Sequence, residues 1–158
     1  MTQDTTIGKP LGSYLTARRT IFESDICSFV NVGGLHEPLF IDMEYVKTDM
    51  PPSHQKRFAP GPFLMTMGMG LVAPMLLTVL DDVRKKQPFG LMKGMISVNA
   101  DIKGPGFAGD TMQVELIPSI KSVTKSGNTL LALRHIMRNQ NKDEVIDFTE
   151  TLMLGPAT

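Results

Sequence analysis

Two periodicities divide the 158 residues of this chain near Pro88. Before it, apolar positions recur at helical spacing; after it, they alternate with polar ones. Residues 1–14 read as a loose lead-in, and Thr16 to Ile21 has some strand character. Ile26, Phe29 and Val30 mark one face of a helix that begins at Glu23-Ser24-Asp25. Ser24 or Glu23 stands near its cap, and Gly33-Gly34 ends it. Ile41 to Val46 predicts a short helical turn. Gly61-Pro62 opens a long Met-, Leu- and Val-rich helix reaching about Val83, with proline in the first turn, where its missing N–H costs nothing. Gly68 and Gly70 cost this helix about 1 kcal/mol each against alanine, which suits a place where something packs closely. Arg84-Lys85-Lys86 falls in its last turn, where cations suit the helix dipole.

The second half predicts strands over residues 95–102, 111–125, 129–138 and 145–154, separated by turn-rich segments such as Lys103 to Asp110 and Ser126-Gly127-Asn128. Pro118 argues for an edge or a bulge in the second of them. Short turns between successive strands predict an antiparallel meander. The simplest arrangement is α+β: one domain over residues 1–158, a curved antiparallel sheet wrapped around the long helix.

Composition narrows the function classes. Sixteen Lys and Arg balance sixteen Asp and Glu, so no net field invites nucleic acid or anionic lipid. One cysteine, Cys27, rules out a disulfide within the chain and is expected as a packed core thiol in a reducing, cytoplasmic setting. The apolar run from Pro62 to Leu80 is broken by Gly68, Gly70, Pro74 and two threonines, so it is expected as a helix buried on nearly every side and not as a membrane span. The polar N-terminus lacks an apolar signal core. Three scattered histidines give no metal-ligand spacing, and no metal or separate cofactor is expected.

The order of elements, together with four segments, resembles the MaoC-like family of (R)-specific enoyl-CoA hydratases and dehydratases, which have the hot-dog fold. The segments are Glu23 to Val32 leading into Gly33-Gly34; Glu37-Pro38-Leu39-Phe40-Ile41-Asp42; Phe58-Ala59-Pro60-Gly61-Pro62-Phe63-Leu64; and Asn99 to Thr111 followed by Arg138-Asn139-Gln140-Asn141. The second sits where the family has Asp-x-Asn-Pro-x-His-x-Asp. Counted from Pro38, Leu35 occupies the family's Asp position, Phe40 its His position and Glu37 its Asn position, while Asp42 matches. The resemblance implies an acyl-CoA or acyl-carrier-protein thioester as substrate, with coenzyme A entering only as part of it. It also implies a homodimer or higher oligomer, or a heteromer with a catalytic homologue.

Hydration of an enoyl thioester needs a base, an acid and donors for the enolate-like oxygen. The helix start near Gly61, with Pro60 and Phe63 beside it, offers the donors. Glu37 is the candidate acid or base, with His36 beside it; Leu35 and Phe40 are candidate lining. Met65, Met67, Met69 and Met75 are core packing or a pliable acyl slot. Arg57, Lys85, Lys86 and Lys103 are candidate partners of a coenzyme A phosphate. His54 is expected to be solvated and His135 to face outward. Three readings remain: a hydratase or dehydratase with an altered acid/base pair, a non-catalytic or partner-dependent subunit, and a thioesterase.

Overall fold

The computed structural model describes residues 7–157. Helix α1 runs Glu23–Gly33. Its N-terminus is closed by Asp25, whose carboxylate accepts the Phe22 N–H at 2.9 Å and pairs with Arg19 at 2.8 Å. Phe22, not Ser24 or Glu23, is therefore the capping position. Gly34, at φ +65°, turns the chain out of the helix in a conformation glycine adopts without strain. Two short helices follow, α2 over Pro38–Ile41 and α3 over Met43–Asp49. Between them Asp42 caps α3, accepting N–H bonds from Glu44 and Tyr45 at 2.9 and 3.0 Å.

The long helix is two helices, α4 over Gly61–Val72 and α5 over Leu76–Lys86, joined by one 3-10 turn at Ala73–Met75. Pro74 explains the break, because it can donate no backbone bond and its ring clashes with the preceding turn. Burial is one-sided. Phe63, Leu64, Met67, Gly68 and Val72 face the core, while Thr66 and Gly70 are exposed, as is Leu77 at 76%. The expected burial on nearly every side does not hold. Gly61–Lys86 is long and apolar enough to cross a membrane by length and composition alone, yet its apolar face is spent on the sheet, as in a core helix. At Gly68 a Cβ would lie 2.8 Å from the Phe148 ring, so the bare backbone is what lets the helix settle onto that side chain.

The sheet has six antiparallel strands: β1 Tyr14–Leu15, β2 Arg19–Thr20, β3 Met92–Ile102, β4 Thr111–Val123, β5 Thr129–Arg138 and β6 Glu144–Leu154. Their order is β1-β4-β5-β6-β3, with β2 also on β4. The predicted meander therefore fails at one step: β3 pairs with β6 rather than β4, placing Asn99 opposite Thr149. Its connection to β4 crosses the end of the sheet and bonds to the segment before α4, through Ala59 N–H to Gly106 O and Ala108 N–H to Arg57 O. Those bonds seat the start of α4.

The first described residues are not a loose lead-in. Gly8 and Leu11 donate to the Ile120 and Pro118 carbonyls, and Leu11 is buried; residues 1–6 of the expected lead-in lie outside the described residues. Pro118 fits beside β5 because its carbonyl points at Leu11. In extended backbone its missing N–H lies on that same irregular side, so the β5 ladder loses no bond. The irregularity in β4 falls between Ile120 and Ser122 instead. One edge of the sheet is thus laced shut, and β3 forms the other.

Candidate functional site

The family-like loop and the start of α4 are held together by Arg57. Its guanidinium donates to the Phe40 carbonyl at 2.9 Å and to the Glu23 carboxylate at 2.7 Å. The end of α2 is thus tied to the start of α1, four residues before Gly61. Pro60 is buried and is the residue preceding the first helical turn. Its carbonyl takes the Leu64 N–H at 3.1 Å. Earlier first-turn N–H groups have no intrahelical acceptor, and with Pro62 carrying none, Gly61 and Phe63 remain as donors. A Cβ on Gly61 would meet Ile102 Cδ1 at 3.0 Å, so β3 closes on the helix there.

Leu35 and Phe40 are half-buried and pack on the core. Phe40 also touches a small cluster of Val46, Phe58 and Phe107. Phe63 is buried, edge-on to Phe29 with 5.6 Å between ring centres. Glu37 and His36 are both exposed. Glu37 is the capping position of α2 through its backbone carbonyl, while its carboxylate makes no hydrogen bond or ion pair within the described residues. The structure therefore joins Phe40, Pro60, Gly61 and Phe63 into one region, with Leu35 packed on the same core. It leaves Glu37 and His36 at its solvent rim, unconnected to each other.

A cleft of about 560 Å³ lies between α1 and α4, lined by Phe29, Phe63, Met67 and Leu71 with Ser24 and Ser28 at its polar side. Of the predicted substrate contacts Phe63 reaches it, as does Met67 of the candidate acyl slot. Met67 is buried, and Met65, Met69 and Met75 are half-buried against the core. The basic candidates are mostly engaged: Arg57 as above, Lys85 with Asp82 at 3.0 Å, Lys86 with the Leu11 carbonyl and Lys103 near Asp101 at 3.5 Å. Cys27 is half-buried, not sealed in the core. His54 is not freely solvated either; its ring meets Phe107 edge-on at 5.6 Å and its Nδ1 bonds Ser53.

The residue placed furthest from expectation is His135. It is fully buried on the helix-facing side of β5, stacked on Phe148 with ring centres 4.3 Å apart. Its Nδ1 bonds the Leu133 carbonyl at 2.9 Å, and its Nε2 has no hydrogen-bond partner among the described residues. The carboxylate of Glu150 on β6 stands 3.5 Å from Nε2. Burial pushes the histidine down to about 4, the carbonyl contact opposing in part, and burial pushes Glu150 up. The signal was parity: His135 is in phase with Leu131, Leu133 and Met137, and Glu150 with Phe148 and Leu152. Among the described residues, no three of His, Cys, Asp and Glu gather as a metal-binding set.

No protein-family profile matches the sequence, and no curated protein does either. Solved structures do. The monoamine oxidase regulatory protein of Archaeoglobus fulgidus is 19% identical at a TM-score of 0.75, over 95% of this chain and 92% of that one. The MaoC-like dehydratase of Rhodospirillum rubrum is 17% identical at 0.67, over 98% and 96%. The HadBC (3R)-hydroxyacyl-ACP dehydratase complex of Mycobacterium tuberculosis is 16% identical at 0.62, over 93% and 99%. The chain has the hot-dog fold these proteins share.

Proposed function

We propose that this chain is a MaoC-like hot-dog protein that binds an acyl thioester at the start of α4 and serves hydration or dehydration of the acyl chain. The supporting observation is the Arg57 clamp, which fixes the Glu37-bearing loop beside the helix start that would receive the thioester oxygen. In this reading Glu37 is the acid or base: it is the one carboxylate in the 33–40 loop, with His36 next to it. Purified protein incubated with crotonyl-CoA should lose enoyl absorbance without releasing free thiol. Thiol release from saturated acyl-CoAs would instead indicate a thioesterase.

A second reading is favoured by Leu35 and Phe40, which pack as apolar groups where the family pattern has its acid and base, while Glu37 faces solvent. A partner-dependent subunit would bind acyl-CoA alone and turn it over only beside a catalytic homologue. Either way the working unit is an oligomer. Strand β3 has a free edge, and Met92, Met95, Ile96 and Ile102 on it are all about half exposed or more; such an edge invites pairing. A second copy, antiparallel across Ser97, would bring Lys93 opposite Asp101. Light scattering should give a dimer or larger at micromolar concentration, and Ile96→Arg should give a monomer.

A further inference from the structure

The concave face of the sheet is not evenly covered. Helix α4 lies over β4, β5 and β6. The helix-facing positions of β3 stay open: Met92 and Met95 are 53% and 52% exposed, Ile102 is 56% exposed, and Val98 and Ala100 lie between them. These residues share that face because they pair with Leu154, Leu152, Ile146, Glu150 and Phe148, the even positions of β6. The result is an apolar strip beside the central helix. It starts at Ile102, against Gly61, and runs toward Met92.

Glu150 is the one titratable group on the β6 wall of that strip. It pairs across the ladder with Val98 on one side and Leu133 on the other, and its side chain keeps 12% exposure. Its carboxylate stands 3.5 Å from His135 Nε2 and makes no hydrogen bond among the described residues. Because a carbonyl oxygen only accepts, the bond to Leu133 puts the neutral ring's proton on Nδ1 and leaves Nε2 as an acceptor aimed at the Glu150 carboxyl. The separation of 3.5 Å is longer than a normal hydrogen bond. Buried polar groups are ordinarily hydrogen-bonded, so a polar group of a ligand that reached this pair would find a carboxyl and a ring nitrogen facing each other.

We propose that Glu150, positioned by His135, is a recognition site for a hydroxyl carried far along an acyl chain lying on the β3 strip. The inference rests on the acyl-thioester reading above. Distance separates it from a catalytic role. Gly61 meets Ile102, which pairs with Ile146. Glu150 is four strand residues further on, about 13 Å, or on the order of ten carbons of extended chain. A group at that separation cannot serve the carbons next to a thioester held at Gly61. A distal hydroxyl, which both donates and accepts, matches a carboxyl in need of a partner.

The test is calorimetric binding of lauroyl-CoA and a series of hydroxylauroyl-CoAs, with the hydroxyl moved from the middle of the chain to its end. The parent should bind one distal isomer at least about tenfold more tightly than lauroyl-CoA, and Glu150→Met should erase that preference while still binding lauroyl-CoA. A flat profile in the parent overturns the proposal and leaves acyl-thioester binding standing, as does a preference that survives in Glu150→Met. If no member of the series binds, the acyl-thioester reading fails and the proposal with it. The parent's profile alone decides the matter should the variant not fold.

Discussion

His36 and Glu37 are neighbours in sequence and both face solvent at the α1–α2 loop, whereas His135 and Glu150 stand on adjacent strands and face each other inside the sheet. The two regions hold the same two residue types in opposite physical states. At the loop, Glu37 is open to a substrate, and its carboxylate makes no hydrogen bond or ion pair among the described residues. In the sheet, burial has moved both groups away from their ordinary ionisation, but His135 is sealed behind Phe148. Proton chemistry needs access and tuning together. In a single chain the loop has the access and the sheet pair has the shifted groups. The loop leaves bulk water only when substrate or a partner copy covers it; the sheet pair is already buried.

The largest expected effect tests the loop. If Glu37 is the acid or base, Glu37→Gln keeps the shape, removes the proton and lowers turnover on enoyl-CoA by roughly 10²–10⁴-fold with little change in binding. Parental turnover in that variant would end the loop's catalytic role. A protein that binds but shows no turnover in either form would be the partner-dependent subunit.

The next tests act on the sheet pair. His135 titrates at about 4 when folded against 6.5 in an open chain, so between those values the unfolded chain binds the extra proton. Stability is then full above pH 6.5 and falls as pH drops toward 4, by roughly 3 kcal/mol for this one group. Glu150 acts in the opposite sense. Raised by burial, it stabilises most below its open-chain value of 4.5 and loses that contribution as pH rises through its folded value. The helix packed over the pair carries no charged residue between Gly61 and Val72. Chemical denaturation of the parent and of His135→Phe at pH 7 and 4.5 should show the variant losing less stability on acidification. Equal losses would mean that His135 is already protonated, or is solvated, in the native protein.

Gly68 supports the same pair from the helix side. Its missing Cβ makes room for the Phe148 ring, which in turn stacks on His135. Gly68→Ala gains helix propensity but pushes a Cβ into a fully buried ring. The net result should be a loss of about 1–3 kcal/mol from overpacking. A thermal melt at or above the parental temperature would show that the ring has room to give.

How far the sequence foretold all this depends on how local each signal was. The helix starting at Glu23, the break at Gly34, the start of α4 and the four long strands follow from spacing, capping and alternation within a few residues, and they appear nearly where expected. The position of β3 beside β6 did not follow, because strand order depends on where a connection crosses, and Lys103 to Asp110 carries no mark of that. Pro74 is visible in the sequence, but a proline alone does not say whether a helix bends or breaks there; the 3-10 turn at Ala73–Met75 shows the break. His135 was misplaced because a polar type in an alternating strand suggests the outer face, whereas its parity with Leu133 and Met137 indicated the inner one. Leu35 and Phe40 could be seen to depart from the family pattern, and the structure adds that both are packed as apolar groups.

The smallest expected effect completes the contrast, because it is measured on stability rather than on turnover. Among the described residues Glu37 makes no bond through its carboxylate, and its capping contact uses the backbone carbonyl, which alanine also has. His36 is likewise exposed, its N–H bonded to the Gly34 carbonyl whatever its side chain. His36→Ala and Glu37→Ala should therefore each stay within about 0.5 kcal/mol of the parent, the usual range for surface changes. Glu150→Ala should cost more, since it opens space beside a buried ring and removes the carboxylate that stands 3.5 Å from His135 Nε2. Paired denaturant titrations of the three variants settle this. If Glu37→Ala proved as costly as Glu150→Ala, the loop carboxylate would have a structural partner, such as a second copy of the chain folded over it. The two regions would then differ in assembly and no longer in burial.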